Sequence, residues 1–365
     1  MSSENVNNTD TNLSKAAYLL IIFVATTVIL VYSEEYMIPF IIALFLWFII
    51  HELRENLQMI PFIRDRFPIW FQSLIAFAII NVVIFLIADM IYVNLSYLSE
   101  SLELYESNIL LAMSKLDVLV GMNLSSQASS YFSGIDYNKL IGSFIDTATV
   151  LFGDGFLILI YVIFLLVEEN IFPLKLKAFY PDRKKQVEVS KLFRKMDKNI
   201  GQYLRLKTLV SFITGLLSYI VLLAFGIDAP LFWALIIFVL NFIPTVGSLI
   251  ATFFPAIFAV LQFGELAPFI YVMLSVGIIQ VVVGNIIEPK LMGNSLNLSS
   301  LVVILSLTIW GGIWGVMGMM LSVPITVMII VIFEEIPSLK FIAIALSEKG
   351  EIKDKKNGAI SNTKV

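Results

Sequence analysis

Uninterrupted apolar runs, parted by short charged stretches, set the layout of this chain. Residues 16–32 and 36–50 are two such runs, separated only by Ser33-Glu34-Glu35. Each is short for a full crossing, and together they predict a tight helical hairpin. A loop at 51–68 follows, carrying Arg54, Arg64 and Arg66. Further membrane helices are predicted at 69–93, 150–167, 208–225 and 266–287. Such runs reach the ~18–20 apolar residues that cross a ~30 Å hydrocarbon core. Barrel strands alternate in polarity and these runs do not, so a membrane β-barrel is excluded.

The two remaining runs resemble each other. Residues 229–264 carry no charge and break at Asn241-Phe-Ile-Pro244-Thr-Val-Gly247, with Pro255 beyond. Residues 300–333 are also uncharged and break at Gly311-Gly312, Gly315 and Gly318, with Pro324 beyond. Wholly helical, the first would be ~54 Å long at ~1.5 Å per residue, far more than one perpendicular crossing. Each run is therefore either a long broken helix or a re-entrant hairpin. Broken backbone at membrane depth survives only where protein shields it or it faces a wet cavity. The expected fold is an all-α polytopic membrane protein of about eight membrane segments, two of them Pro/Gly-broken or re-entrant hairpins.

Composition agrees: 59% of the 365 residues are hydrophobic, 14% are charged, and the mean hydropathy is +0.91. Cysteine is absent, which removes disulfides, thiol catalysis and cysteine–zinc sites. Residues 16–32 lack a small-residue cleavage site and read as the first membrane helix rather than a signal peptide. Charge sorts the loops by side. Residues 168–207 hold eleven Lys or Arg against five acids, and 338–365 hold six lysines against three acids; both are expected in the cytoplasm. Residues 94–149, with two basic residues against six acids, are expected outside. Both termini inside and an even number of crossings follow.

The chain thus divides into a polar N-terminus at 1–15, three membrane helices in 16–93 and an extracytoplasmic segment at 94–149. The fourth helix, 150–167, is followed by a basic segment at 168–207, a transport core at 208–337 and a tail at 338–365. In the outer segment Leu98, Leu102, Tyr105, Ile109, Met113, Leu116 and Val120 form a helical packing seam, open to either another subunit or the chain's own membrane domain. Residues 122–134 read as a flexible loop, and 349–365 as a disordered polar tail. In 182–207 the residues Leu192, Met196, Ile200 and Tyr203 share one face opposite basic residues; this amphipathic stretch suits anionic lipid or the cytoplasmic end of the next helix.

Candidate chemistry centres on Gly284-Asn285-Ile-Ile-Glu288-Pro289-Lys290, between the two broken runs. Paired interrupted helices around a polar patch are the sequence sign of a transporter's central site. Pro289 lacks an N–H and disfavours helix at Ile287, so a broken turn would free carbonyls beside Glu288. The plainer reading puts Glu288 and Lys290 at headgroup level. Asn241 and Gln280 are polar residues in apolar runs, suited to helix–helix hydrogen bonds or to solute contact. Trp310 and Trp314 bracket the second break, as pocket lining or interface anchors. The expected solute or ion site comprises Glu288, Asn285, Asn241, Pro244, Gly247 and Lys290. Gly311, Gly312, Gly315, Gly318 and Pro324 serve as hinge or packing positions. The single histidine, His51, reads as interfacial beside Glu52 and Arg54. Asn81 and Asp89 in the third helix are candidates for a polar path. Metalloprotease, serine-hydrolase and phosphate-loop motifs are lacking, so neither an enzyme nor an ATP-driven pump is expected, and no cofactor or metal.

From Ile200 to Pro324 the pattern resembles the autoinducer-2 exporter (AI-2E) family of bacterial permeases. The likeness rests on Gly201-Gln-Tyr-Leu-Arg205, Gly226-Ile-Asp-Ala-Pro230, Ile243-Pro244-Thr-Val-Gly247 with Pro255, and Gly284-Asn-Ile-Ile-Glu288-Pro289 with Gly293. Leu296, Leu298, Gly311-Gly312, Trp314-Gly315, Gly318 and Pro324 complete it in order. The resemblance implies a multi-pass transporter of the bacterial inner membrane. Members are described as exporters of the quorum-sensing furanosyl signal autoinducer-2, others as sodium (lithium)/proton antiporters. It also implies a homo-oligomer, with a pentamer as one candidate. Expected partners are a small polar solute or cation, the bilayer and further copies of the chain; no nucleic acid is expected. A membrane scaffold that moves nothing is the alternative from a different class.

Overall fold

The computed structural model describes residues 17–18, 20–22, 24–120, 137–292, 298–348 and 350. The segment 1–15, the loop 122–134, the motif residues Gly293 and Leu296, and nearly all of 349–365 lie outside them. Among the described residues there are helices and turns but no strand. Among the described residues seven helices are long and apolar enough to cross a membrane: Glu34–Gln58, Ile69–Leu98, Gly155–Phe179, Arg183–Ala224, Val246–Phe263, Leu266–Met292 and Ser300–Glu335. Many of their large side chains point outward; Phe85, for example, is 69% exposed. Inward lie small and hydroxylated residues, as expected where lipid is the solvent and helices associate by close packing.

The N-terminal apolar segment, Leu20–Tyr32, meets α1 (Glu34–Gln58) at one residue, Ser33, with φ −92° and ψ 8°. A one-residue joint bends a helix; the loops of antiparallel helix pairs take two to five residues. The tight hairpin expected at this point is thus a bend. The loop expected at 51–68 is also largely helical: α1 continues to Gln58, then a short α2 (Pro61–Arg66) leads to α3 (Ile69–Glu100). Arg54 holds the extension in place. Its guanidinium donates to Ser73 Oγ of α3 at 3.0 Å and pairs with Glu169 of α5 (Tyr137–Phe179). Trp47 Nε1 and His51 Nδ1 reach the same carboxylate at 3.1 and 2.9 Å.

The segment after α3 forms α4 (Leu102–Val120), and Leu98 and Tyr105 of the seam pack against the chain's own core. Tyr105 is buried, stacks edge-on against Phe258 at 5.3 Å, and donates to Asp228 Oδ2 at 3.0 Å. Burial, with the Asp228 carboxylate as acceptor, pushes its phenol up to about 12. Asn108 donates to the carbonyls of Leu261 and Gln262.

The basic segment is mostly two helices that meet. Only Tyr180–Asp182 separate α5 from α6 (Arg183–Ala224), and Asp182 caps α6 by accepting from the Lys184 N–H at 2.9 Å. Along α6 the buried face reads Tyr203, Leu204, Lys207, Val210, Ser211, Thr214, Gly215, Ser218 and Leu222, a three-and-four spacing in which small residues alternate with large ones. Leu192, Met196 and Ile200 pack against the core, which uses the amphipathic face for protein contact.

Both broken runs are re-entrant hairpins. In the first, α7 (Pro230–Leu240) and α8 (Val246–Phe263) are joined by a turn at 241–245. The base is closed by Gln262, whose side chain accepts from the Asp228 N–H and donates to the Gly226 carbonyl, each at 2.8 Å. In the second, α11 (Ser300–Glu335) folds back at Trp314 (φ −129°, ψ 24°) and Gly315 (φ 57°, ψ −139°). Val303 packs beside Val323 and Val327 across it. Each turn contains one glycine pressed against a carbonyl of the opposite arm. A Cβ on Gly247 would stand 1.8 Å from the Leu240 oxygen, and one on Gly318 1.9 Å from the Trp310 oxygen.

The hairpins enter from opposite ends of α6. The base of the first follows directly on Ala224, whereas Lys195 pairs with Glu334 at the base of the second. From Lys195 to Ala224 is about 44 Å of helix. A short α12 (Lys340–Leu346) closes the second base, where the Ser299 N–H donates to the Leu346 carbonyl at 3.2 Å. Helix α9 (Leu266–Val282) returns from the first hairpin towards the second, passing through a π turn, Val283–Ile287, into α10 (Glu288–Met292).

Candidate functional site

Where the tip of the first hairpin meets α6, α9 and the base half of the second hairpin lies a cavity of about 420 Å³. Its polar lining comes from Tyr203 and Lys207 of α6, Asn241, Thr245 and Ser248 of the first hairpin, and Gln280, Asn285 and Glu288. Lys207 stands about 26 Å along α6 from Ala224 and about 18 Å from Lys195. The cavity therefore lies off-centre, towards the base of the second hairpin, because the first hairpin reaches deep before turning.

Four of the six residues expected from sequence come together here: Glu288, Asn285, Asn241 and Pro244. Asn241 is buried and donates to Ser211 Oγ of α6 at 3.0 Å, so it ties the hairpin tip to α6 while lining the cavity. Gln280 is also buried and leaves its amide nitrogen without a partner at the cavity wall. Gly247 is not a lining residue; its part is the close approach described above. Lys290 is exposed and outside the cavity. Thr245 takes φ 59° and ψ −58°, a left-handed conformation rare for a threonine, at the cavity rim.

The Glu-Pro motif does not break its helix. The Glu288 N–H donates to the Val283 carbonyl, the five-residue step of a π turn, and the ladder continues into α10. Pro289 has no N–H to give, so widening the turn accommodates a lost donor without stopping the helix. The turn aims Glu288 at α6.

There it meets a residue that sequence reading assigned to the basic cytoplasmic segment. Lys207 Nζ donates to Glu288 Oε1 at 2.6 Å, with side-chain exposures of 5% and 22%. Its signal in the sequence was a lysine four residues past Tyr203, followed by an uncharged stretch to Phe225; charged residues inside apolar helices are rare and usually paired.

Of the second break, Gly311, Gly312, Gly315, Gly318 and Trp310 belong to the hairpin turn, away from the cavity, and Pro324 is buried in the returning arm. Trp314 is buried, lies 5.2 Å from the Trp310 ring, and donates from Nε1 to the Leu30 carbonyl at 3.1 Å. Asn81 bonds its own helix at the Phe77 carbonyl, Asp89 lies on α3 outside the cavity lining, and His51 belongs to the Glu169 cluster. Among the described residues no three His, Asp or Glu side chains converge to hold a metal ion. Chemically the cavity is a set of hydroxyls and amides around one mutually neutralised charge pair, suited to binding and release.

The family model for AI-2E family transporters matches residues 20–338. The AI-2 transport protein TqsA of Escherichia coli (strain K12) is 32% identical over 321 residues, which cover 87% of this chain and 91% of TqsA. A protein of Haemophilus influenzae named for transport is 30% identical over 330 residues, 88% of this chain and 92% of that one. A protein of Borreliella burgdorferi named in the same way is 39% identical over 214 residues, 58% of this chain and 56% of its own length. The chain belongs to the AI-2E family of membrane transporters.

Proposed function

We propose that this chain is a secondary transporter that exports a small, uncharged polar solute of the autoinducer-2 kind. The observation that carries the reading is the cavity, whose charged lining groups among the described residues, Lys207 and Glu288, neutralise each other among hydroxyls and amides. The similarity to the AI-2 transport protein TqsA supports the solute class. Glu288 is the central polar group, Asn241, Asn285 and Pro244 shape the site, and Gly247 and the glycines of the second turn let the hairpins move under an ion gradient.

The balance of basic residues supports cytoplasmic termini in a bacterial inner membrane. A homo-oligomer, as the family resemblance implies, is tested by the mass of the extracted particle. The transport reading is tested in proteoliposomes loaded with autoinducer-2 under imposed proton and sodium gradients. Wild-type chain moves the solute, and Glu288→Gln abolishes flux while expression and assembly persist. No autoinducer-2 flux under any gradient, or wild-type flux from Glu288→Gln, refutes the reading.

A further inference from the structure

We propose that Lys207 is a charge filter: a tethered ammonium that occupies Glu288 and closes the cavity to free monovalent cations, leaving it to neutral, oxygen-bearing solutes. The proposal rests on reading the cavity as the solute site.

Lys207 and Glu288 both line the cavity, and with side-chain exposures of 5% and 22% the carboxylate is the more accessible member of the pair. Apart from this pair every lining side chain is uncharged, so the site is neutral with Lys207 and carries one negative charge without it. Lys290, the other lysine nearby in sequence, is exposed and outside the lining, so it does not substitute.

A solute with hydroxyl groups offers O–H donors to the Glu288 carboxylate, whereas a sodium or alkylammonium ion must displace Lys207 to reach it. Lys207 Nζ lies 2.6 Å from Glu288 Oε1, so a free cation must displace a charge-assisted hydrogen bond to reach the carboxylate.

The experiment is cation binding to the purified full-length chain, with ionic strength held constant by N-methyl-glucamine chloride. Sodium, lithium and methylammonium are titrated while heat and melting temperature are followed. Wild type and Lys207→Arg are expected to show no saturable response. Lys207→Gln is expected to bind methylammonium or sodium at least roughly tenfold more tightly than wild type. Lys207→Gln/Glu288→Gln is expected to lose that gain. Equal cation binding by wild type and Lys207→Gln overturns the proposal, as does a folded Lys207→Gln that binds no cation. If Lys207→Gln yields no monodisperse particle, wild type and Lys207→Arg decide: saturable cation binding that Glu288→Gln abolishes overturns the filter, and refusal by both supports it. These outcomes are separable from the transport reading. A chain that moves no solute yet gains cation binding in Lys207→Gln keeps the filter and loses the transport assignment. Solute flux without that gain does the reverse.

Discussion

One methyl group at Gly247 distinguishes a hairpin from a straight helix by the sign of its effect. In the hairpin the new Cβ stands 1.8 Å from the Leu240 oxygen, 2.8 Å from its carbonyl carbon and 3.0 Å from Ile243 Cβ. An ordinary carbon contact is ~3.5 Å or more, so the arms must part by roughly 1.5 Å. The obstacle is backbone, fixed in α7, and cannot rotate away. Overpacking of this kind costs about 1–3 kcal/mol or more. In a straight helix the same change removes a mid-helix glycine and gains about 0.5–1 kcal/mol. Gly318→Ala repeats the test in the second hairpin, with the Trp310 oxygen at 1.9 Å. Gly312→Ala is the control, since a Cβ there meets nothing within 4 Å. Melting of the detergent-solubilised chain, followed by size-exclusion chromatography of heated samples, should place Gly247→Ala and Gly318→Ala several degrees below wild type and Gly312→Ala at or above it. If all three melt together at or above wild type, the re-entrant turns are wrong.

Two further tests use other contacts. Spin labels on cysteines replacing Leu231 and Phe263, in a chain with no native cysteine, should lie within about 20 Å, whereas an unbroken helix would hold them about 48 Å apart; a long distance in double electron–electron resonance refutes the first hairpin. Arg54→Met leaves Glu169, with its side chain only 18% exposed, short of its strongest partner and should cost about 3–5 kcal/mol of stability, part of which Arg54→Met/Glu169→Met recovers; an unchanged melting point shows that the cluster does not hold α1, α3 and α5 together.

The features legible in the sequence were those with a local cause. Proline and glycine interrupt an apolar run wherever the run folds, so both hairpins could be located, and Asn241, Pro244, Asn285 and Glu288 could be placed near one another. Lys207 was hidden because its significance depends on a partner 81 residues away, while its neighbours in sequence are an ordinary basic stretch. The same holds for the direction in which each hairpin enters: hydropathy is blind to it, and it emerges only from which end of α6 each base touches. Gly247 was singled out as part of a site, yet its effect is steric, set by a carbonyl on the other arm. The expected break at Pro289 became a π turn because a helix can absorb one missing donor by widening. The loop expected at 51–68 became helix because Arg54 found a buried acid on α5.

The indole of Trp314 hydrogen-bonds a carbonyl 284 residues earlier in the chain, at the bend that Ser33 makes. During synthesis the Leu30 end of this bond leaves the ribosome first and the Trp314 end near the last. A polar turn inserted into lipid by itself would face unmet backbone groups, but here it arrives against a wall already built. The order of translation thus makes the Leu30 carbonyl available as an acceptor before the final hairpin is made. Deleting residues 1–33 should then leave the earlier crossings inserted while the last hairpin fails to seat, so biogenesis, as well as the finished fold, depends on a segment far from the cavity.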